Sequence, residues 1–216
     1  MKKIFTLIAA VAFAASASAQ VLSFDTKYDK GAVPGSFTKG DLVLTVTDTD
    51  GKLAVDANSA YFGTSESYVS FDYRLKTGGK SSSKNNLTLT LPSDGVLKVY
   101  ARTGSNGATD RNIVLTQNET ELVNKILLES EAVKATIGEE EKNVYPVISA
   151  EAKKGDVVIT YPVGSINFYA FELVNATGVS TIITPKADGK TYNLSGVQVS
   201  ENAKGLKIKN GKKYVK

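Results

Sequence analysis

The chain predicts an all-β fold, a jelly-roll β-sandwich with a small C-terminal β-hairpin appendage. Short stretches of period two recur along it, among them Asp41–Asp48, Tyr68–Leu75, Leu87–Leu91 and Val96–Arg102. A period of two sends alternate side chains to opposite faces of a strand. Clusters of Gly, Pro, Asn, Asp and Ser separate these stretches, as at Pro92–Gly95 and Lys76–Asn86, and such clusters are turn chemistry. Roughly eight to ten strands over about 155 residues suit a jelly roll better than a seven-stranded immunoglobulin sandwich.

Residues 1–19 read as a secretory signal peptide. Lys2 and Lys3 precede the apolar run Ile4–Ala15, and Ala17-Ser18-Ala19 has the A-x-A form of a cleavage site. The run is too short to span a bilayer comfortably. No Cys follows it to carry a lipid anchor. Cleavage after Ala19 leaves 197 residues, enough for one β domain and a small appendage. The expected division is a β-sandwich over 20–174, a linker over 175–190 and a tail over 191–216. No later apolar run is long enough to span a bilayer, so an integral membrane protein is not expected.

The sandwich begins with a first strand in Gln20–Lys30, from Val21, Leu22 and Phe24, and a loop at Pro34-Gly35. Asp41–Asp48 sets Leu42, Leu44 and Val46 against Val43, Thr45 and Thr47. Asp50-Gly51 favours a hairpin into Lys52–Val55. In Tyr68–Leu75, Val69, Phe71 and Tyr73 share one face, and Tyr68, Ser70, Asp72 and Arg74 the other. Lys76–Asn86 is a long polar loop, expected to be mobile or functional. Glu121–Glu129 is read as a strand and the acidic Gly138–Asn143 as a solvated loop. Val144–Ala152 and Asp156–Tyr161 are strands joined at Lys153-Lys154-Gly155. Ile166–Val174 is apolar on both faces, the mark of a central strand.

Val96–Thr116 organises the rest. It reads as two strands joined by the polar loop Thr103–Asp110. Leu97, Val99, Ala101, Ile113 and Leu115 are core positions. Tyr100, Arg102 and Arg111 fall at or near solvent-facing positions beside the loop. A flat aromatic beside guanidinium groups suits a polar, ring-shaped or anionic ligand.

Composition removes several chemistries. There is no Cys, hence no disulfide, thiolate nucleophile or thiolate metal site. There is no His, which removes the usual general base and His-ligated zinc. There is no Trp among sugar-stacking residues, but ten Tyr are present. The net charge of +4 comes from the ends. Residues 186–216 carry eight Lys and two acids, while residues 20–185 carry 16 basic and 20 acidic residues. A slightly acidic body gives no footing for nucleic acid.

Tyr192-Asn193-Leu194, Gly196, Val199, Gly205-Leu206 and Asn210-Gly211-Lys212-Lys213 resemble the C-terminal sorting or anchoring segments of secreted Bacteroidetes proteins. Lys207 stands where such segments usually carry an aromatic residue. This resemblance implies recognition by secretion machinery and release or attachment at the cell surface. Tyr73–Gly79, Leu97–Gly104, Ala108–Leu115 and Gly164–Leu173 resemble the galactose-binding-like β-sandwich modules that accompany polysaccharide-degrading enzymes. In those modules an Asn near the start of the last strand points toward a ligand edge, and Asn167 takes that place here. Such modules often hold a structural calcium through carboxylates and carbonyls; no clustered Asp motif marks that site here, so no cofactor is expected and calcium stays open.

These readings give a secreted, non-catalytic module that binds a polysaccharide or oligosaccharide. The expected ligand-binding residues are Tyr73, Arg74, Tyr100, Arg102, Arg111 and Asn167, with Tyr73 also placed to serve as core. Tyr would stack on a sugar face and Arg would bind hydroxyls or a uronate carboxylate. A structural or adhesive surface protein uses the same fold. A small polysaccharide lyase working without His is the enzymatic alternative.

Overall fold

The computed structural model describes residues 19–175 and, in the C-terminal part, residues 191–193, 198–200, 206–209 and 212–215. The expected signal peptide up to Ser18 and the expected linker beyond Asn175 lie outside the described residues. The chain divides into two compact units, with the boundary between Ala176 and Thr177.

The first unit contains β1 (Ala19–Ser23), β2 (Ser36–Lys39), β3 (Leu42–Asp48), β4 (Ala54–Gly63), β5 (Tyr68–Lys76), β6 (Asn85–Leu91) and β7 (Gly95–Thr103). It continues with β8 (Asn112–Gln117), β9 (Thr120–Ile126), a 3-10 turn at Glu129–Glu131, β10 (Val133–Ile137), β11 (Glu140–Tyr145), β12 (Ile148–Ala152), β13 (Gly155–Thr160) and β14 (Ile166–Asn175). Eight strands form one sheet, ordered β10-β11-β4-β5-β14-β7-β12, with β1 also paired to β14. Six form the other, ordered β2-β3-β6-β13-β8-β9. Among the described pairings only β11 with β4 is parallel. The sheets make the sandwich the sequence predicts.

The alternation sorts the core as expected. Leu42, Leu44, Leu87, Leu89, Ile113 and Leu115 of the smaller sheet are fully buried, as are Leu97 and Val99 of the larger. Burying a Leu or Val side chain contributes about 1.5–3 kcal/mol, so these rows dominate the stability of the unit. β14 is central: β7 runs along one side, and β5 and then β1 pair with the other. Gln20–Lys30 supplies its expected strand as β1, and Glu121–Glu129 is a strand as far as Ile126.

The connections differ from the local reading. Asp50-Gly51 does not close a hairpin, because β3 and β4 lie in different sheets. The Asp48 carboxylate instead accepts from the N–H groups of Lys52 (2.7 Å) and Leu53 (3.0 Å), turning the chain from one sheet to the other. Likewise β7 and β8 belong to opposite sheets, and so do β12 and β13. The last crossing is pinned by Gln117, whose amide exchanges two hydrogen bonds with the backbone of Lys153 (2.7 and 2.8 Å). A turn composition reports that the chain reverses; which sheet it re-enters depends on partners distant in sequence. A tight hairpin does join β8 and β9, with Asn118 and Glu119 both at positive φ, the twist favoured by antiparallel strands. Glu140 and Glu141, expected in a loop, open β11.

The loop at 77–84 is anchored by buried polar groups. Asn85 and Tyr161 are fully buried, and the Tyr161 hydroxyl donates to Asn85 Oδ1 (2.6 Å). Asn85 Nδ2 donates to the Thr77 carbonyl (3.0 Å), and Thr77 Oγ1 accepts from the Ile166 N–H (3.0 Å). Ser81 exchanges hydrogen bonds with the Tyr161 backbone. These bonds tie both ends of the loop expected to be mobile or functional to the sandwich.

The second unit is a four-stranded sheet, ordered β16-β15-β17-β18, formed by β15 (Thr191–Asn193), β16 (Gln198–Val199), β17 (Leu206–Lys209) and β18 (Lys212–Val215). β17 and β18 pair as the predicted hairpin. Its Asn210-Gly211 turn lies outside the described residues. Among the described residues, no helix is long and apolar enough to cross a membrane.

Candidate functional site

The site is built on the face of the larger sheet that points away from the sandwich core. On β7, Leu97, Val99 and Ala101 enter the core, which sends Lys98, Tyr100 and Arg102 to the other face. That face carries its own apolar layer. β11 docks on β4 through Val144 and Tyr145 opposite Tyr61 and Phe62. Phe62 then gathers Tyr169 (5.2 Å between ring centroids), Tyr100 (5.7 Å) and Tyr145 (5.9 Å). Tyr100, expected near solvent, is therefore only 4% exposed. Alternation distinguishes two faces but not whether the second is covered.

The polar ends of these rings are all engaged. The Tyr100 hydroxyl donates to Glu172, which also pairs with Lys98 (3.3 Å). The Tyr169 hydroxyl donates to Asn58 Oδ1 (2.7 Å) and the Tyr145 hydroxyl to Glu129 Oε2 (2.7 Å). Arg102 donates to both Glu129 oxygens (3.2 Å each) with its guanidinium carbon 4.3 Å from the Tyr145 ring centroid. Burial, more than any other influence, pushes the Tyr100 phenol well above its ordinary value, and the Glu172 carboxylate adds to it. Burial and then Glu129 also raise Tyr145, against the opposing pull of Asn143 and Arg102. At neutral pH both phenols are donors.

Two concavities adjoin through Val147 and Ser149, one on this face and one that also reaches the core residues Ala101, Leu127 and Ile148. One is a groove of ≈ 210 Å³ whose lining includes Phe62, Tyr68, Val69 and Tyr100, with Ser67, Lys98 and Ser149 as polar groups. Tyr68 is 38% exposed and meets Tyr61 edge-on (5.9 Å). The other is a more enclosed cavity of ≈ 230 Å³, bounded by Arg102 and Tyr145 and by the segment carrying the 3-10 turn.

Of the six expected ligand residues, Tyr100 lines the groove and Arg102 the cavity. The other four line neither. Asn167 sits across from Arg102 on β14, nearly buried, with Nδ2 donating to the Thr103 carbonyl (3.2 Å). Arg111 pairs with Asp110 (2.8 Å) and packs so closely on Gly164 that a Cβ there would fall 2.4 Å from its Nε. Tyr73 packs against the main core. Arg74 is held by Asp56 (2.8 Å), which also binds Lys76 (3.1 Å). Among the described residues, no group of three or more His, Cys, Asp or Glu side chains is placed to hold a metal ion.

The Asp56 cluster gives a pH test. Burial is the largest single influence on Asp56 and raises its pKa, but Arg74 and Lys76 together outweigh it and hold the carboxyl below 3.8. A folded-state pKa below the unfolded one contributes stability that is complete above the unfolded value and lost as pH falls through the folded one. Asp56→Asn should therefore lower the urea midpoint at pH 7 and narrow the gap between pH 7 and pH 3. An unchanged gap would show that the pair adds no pH-dependent stability.

Sequence reasoning missed Tyr68, Glu129 and Tyr145. Tyr68 carried a usable signal, an aromatic on the polar face of an alternating strand. Glu129 and Tyr145 carried none, because each meets Arg102 only through the long-range folding of β9 to β11.

No protein-family model matches the chain, and no curated protein matches it. Solved structures resemble it at low identity. One comes from work on glycan recognition in the Ruminococcus flavefaciens cellulosome, at 12% identity and a TM-score of 0.36, covering 74% of this chain and 95% of that one. Another is the catalytic domain of a GH87 α-1,3-glucanase in complex with tetrasaccharides, at 10% identity and a TM-score of 0.31, covering 61% of this chain and 28% of that one.

Proposed function

We propose that the chain is a secreted, non-catalytic carbohydrate-binding module acting on extracellular or cell-surface polysaccharide, with its C-terminal tail engaging secretion machinery. The observation that carries the binding reading is the groove in which the exposed Tyr68 stands beside Lys98, Ser67 and Ser149. A sugar ring has an apolar face suited to an aromatic side chain and a rim of hydroxyls suited to ammonium and hydroxyl partners.

The charges support a non-catalytic role. Glu129 is bound by Arg102 and Tyr145, and Glu172 by Lys98 and Tyr100. A glycosidase needs two carboxylates free to flank one bond, and these two are committed elsewhere. A lyase using a phenolate base is disfavoured by the raised pKa values of Tyr100 and Tyr145.

A glycan-array screen of the full-length protein, with and without calcium, tests the reading. Saturable binding to one polysaccharide class is expected. Folded protein that binds no glycan but associates with itself or another protein through the exposed Tyr68–Val69 surface would favour the adhesive reading. Product formation from an acidic polysaccharide would overturn the non-catalytic one.

A further inference from the structure

Three Asx-Gly pairs lie among the described residues: Asp50-Gly51, Asp94-Gly95 and Asn106-Gly107. Such a pair can rearrange without an enzyme, because glycine has no Cβ to keep its nitrogen from the preceding side-chain carbonyl. The reaction needs that side chain free to swing back onto the nitrogen. The fold restrains two of the three pairs. Asp94 is bound by Lys153 Nζ (3.1 Å) and by the Lys154 N–H (2.9 Å). Gly95 is paired on both sides, with Ala152 and with Asn175, and a Cβ there would fall 2.5 Å from the Val174 carbonyl oxygen. Asp50 is paired with Lys52 (3.1 Å), and the Gly51 nitrogen is engaged, donating to the Asp48 carbonyl (3.2 Å).

Asn106 and Gly107 stand apart. Both are exposed. Among the described residues, no group bonds the Asn106 side chain or the Gly107 N–H. Gly107 has a φ of 74° and nothing within 4 Å of where a Cβ would stand. One bond closes the turn, from the Ala108 N–H to the Ser105 carbonyl (3.2 Å). The base of the loop is fixed: the Gly104 N–H donates to the Ser165 carbonyl (2.9 Å), and Thr103 Oγ1 bonds the backbone of Ser105. The tip can therefore rearrange while the strands beneath it keep their register.

We propose that Asn106 is a site of self-modification, converting to aspartate and isoaspartate in the folded protein. The Gly107 nitrogen gives its proton to solvent and attacks Asn106 Cγ. A C–N bond forms, the bond from Cγ to the side-chain nitrogen breaks, and ammonia leaves. Water then opens the resulting five-membered imide. Cleavage of the new bond at Cγ gives aspartate; cleavage at the main-chain carbonyl gives isoaspartate, with Gly107 joined through Cγ. One water is consumed, one ammonia is released, and no oxidation or reduction occurs. The loop gains one negative charge near Asp110, and in the isoaspartate form one extra backbone carbon.

The test is incubation of the folded full-length protein in mildly alkaline buffer made with heavy-oxygen water, followed by peptide mapping. Trypsin cuts after Arg102 and Arg111 and releases Thr103–Arg111, in which Asn106 is the only amide side chain. That peptide should exchange NH for one labelled oxygen, and electron-transfer fragmentation should show isoaspartate beside aspartate. The rate should lie within about tenfold of that of the same peptide made synthetically, because opening the turn costs one exposed hydrogen bond. A rate in the protein more than about tenfold below the peptide's would overturn the proposal. Asp94→Asn sets the same Asn-Gly chemistry on a glycine paired on both sides. In that variant position 94 should convert at least about tenfold more slowly than Asn106 of the same molecules, since it reacts only when the ladder opens. Equal rates at the two positions in the folded variant would overturn the selection of Asn106 by the fold.

Discussion

Asn85→Ala should destabilise the sandwich by about 3 kcal/mol, read as a lowered urea midpoint with an unchanged slope. Asn85 is fully buried and serves two partners, accepting from the Tyr161 hydroxyl and donating to the Thr77 carbonyl. Tyr161 is itself fully buried, and burial pushes its phenol far above the ordinary value. Alanine leaves a buried O–H and a buried C=O without partners, each worth about 1–3 kcal/mol. The effect should spread, because Thr77 and Ser81 tie the same loop to β13 and β14. Tyr161→Phe removes one partner only and should cost about half as much. A loss below about 1 kcal/mol for Asn85→Ala would mean that water replaces the amide, and the loop would then be loosely held.

That loop shows where sequence legibility ends. Its Gly, Ser, Lys and Asn residues read as solvated chain, yet Thr77 and Asn85 are fully buried. The residues that settle the matter are Tyr161 and Ile166, some 80 positions away. The strands were legible because a period of two is local: Leu42-x-Leu44, Leu87-x-Leu89 and Leu97-x-Val99 all proved to be core. The sheet-switching connections were not, because Asp50-Gly51 and Lys153-Lys154-Gly155 turn the chain equally well within a sheet or between two. The candidate site divides the same way. Arg102 was legible as an outward-facing cation on β7, but its partner Glu129 lies beyond β9 and Tyr145 at the end of β11. Tyr100 looked exposed because nothing near it in sequence announces that Phe62 and Phe71 cover it.

Tyr68→Ala should weaken binding of the polysaccharide identified by the array about 30-fold, measured by titration calorimetry on the full-length protein. Removal of a central aromatic anchor typically costs about 2 kcal/mol, and about 1.4 kcal/mol is tenfold in Kd. Tyr68 qualifies because its ring is partly open to solvent and braced edge-on by Tyr61, so it offers a face without losing much freedom on binding. Tyr68→Phe keeps that face and should stay within about threefold. Tyr100→Phe separates contact from support. Tyr100 lies beneath the groove with its hydroxyl on Glu172, so its loss should lower stability and leave affinity largely intact. If Tyr68→Ala binds as tightly as the parent, the groove is not the glycan surface. If Tyr100→Phe is the damaging change instead, the Glu172 pair must open to admit the ligand, and the polar groups beneath the ring, rather than the ring's face, make the contact.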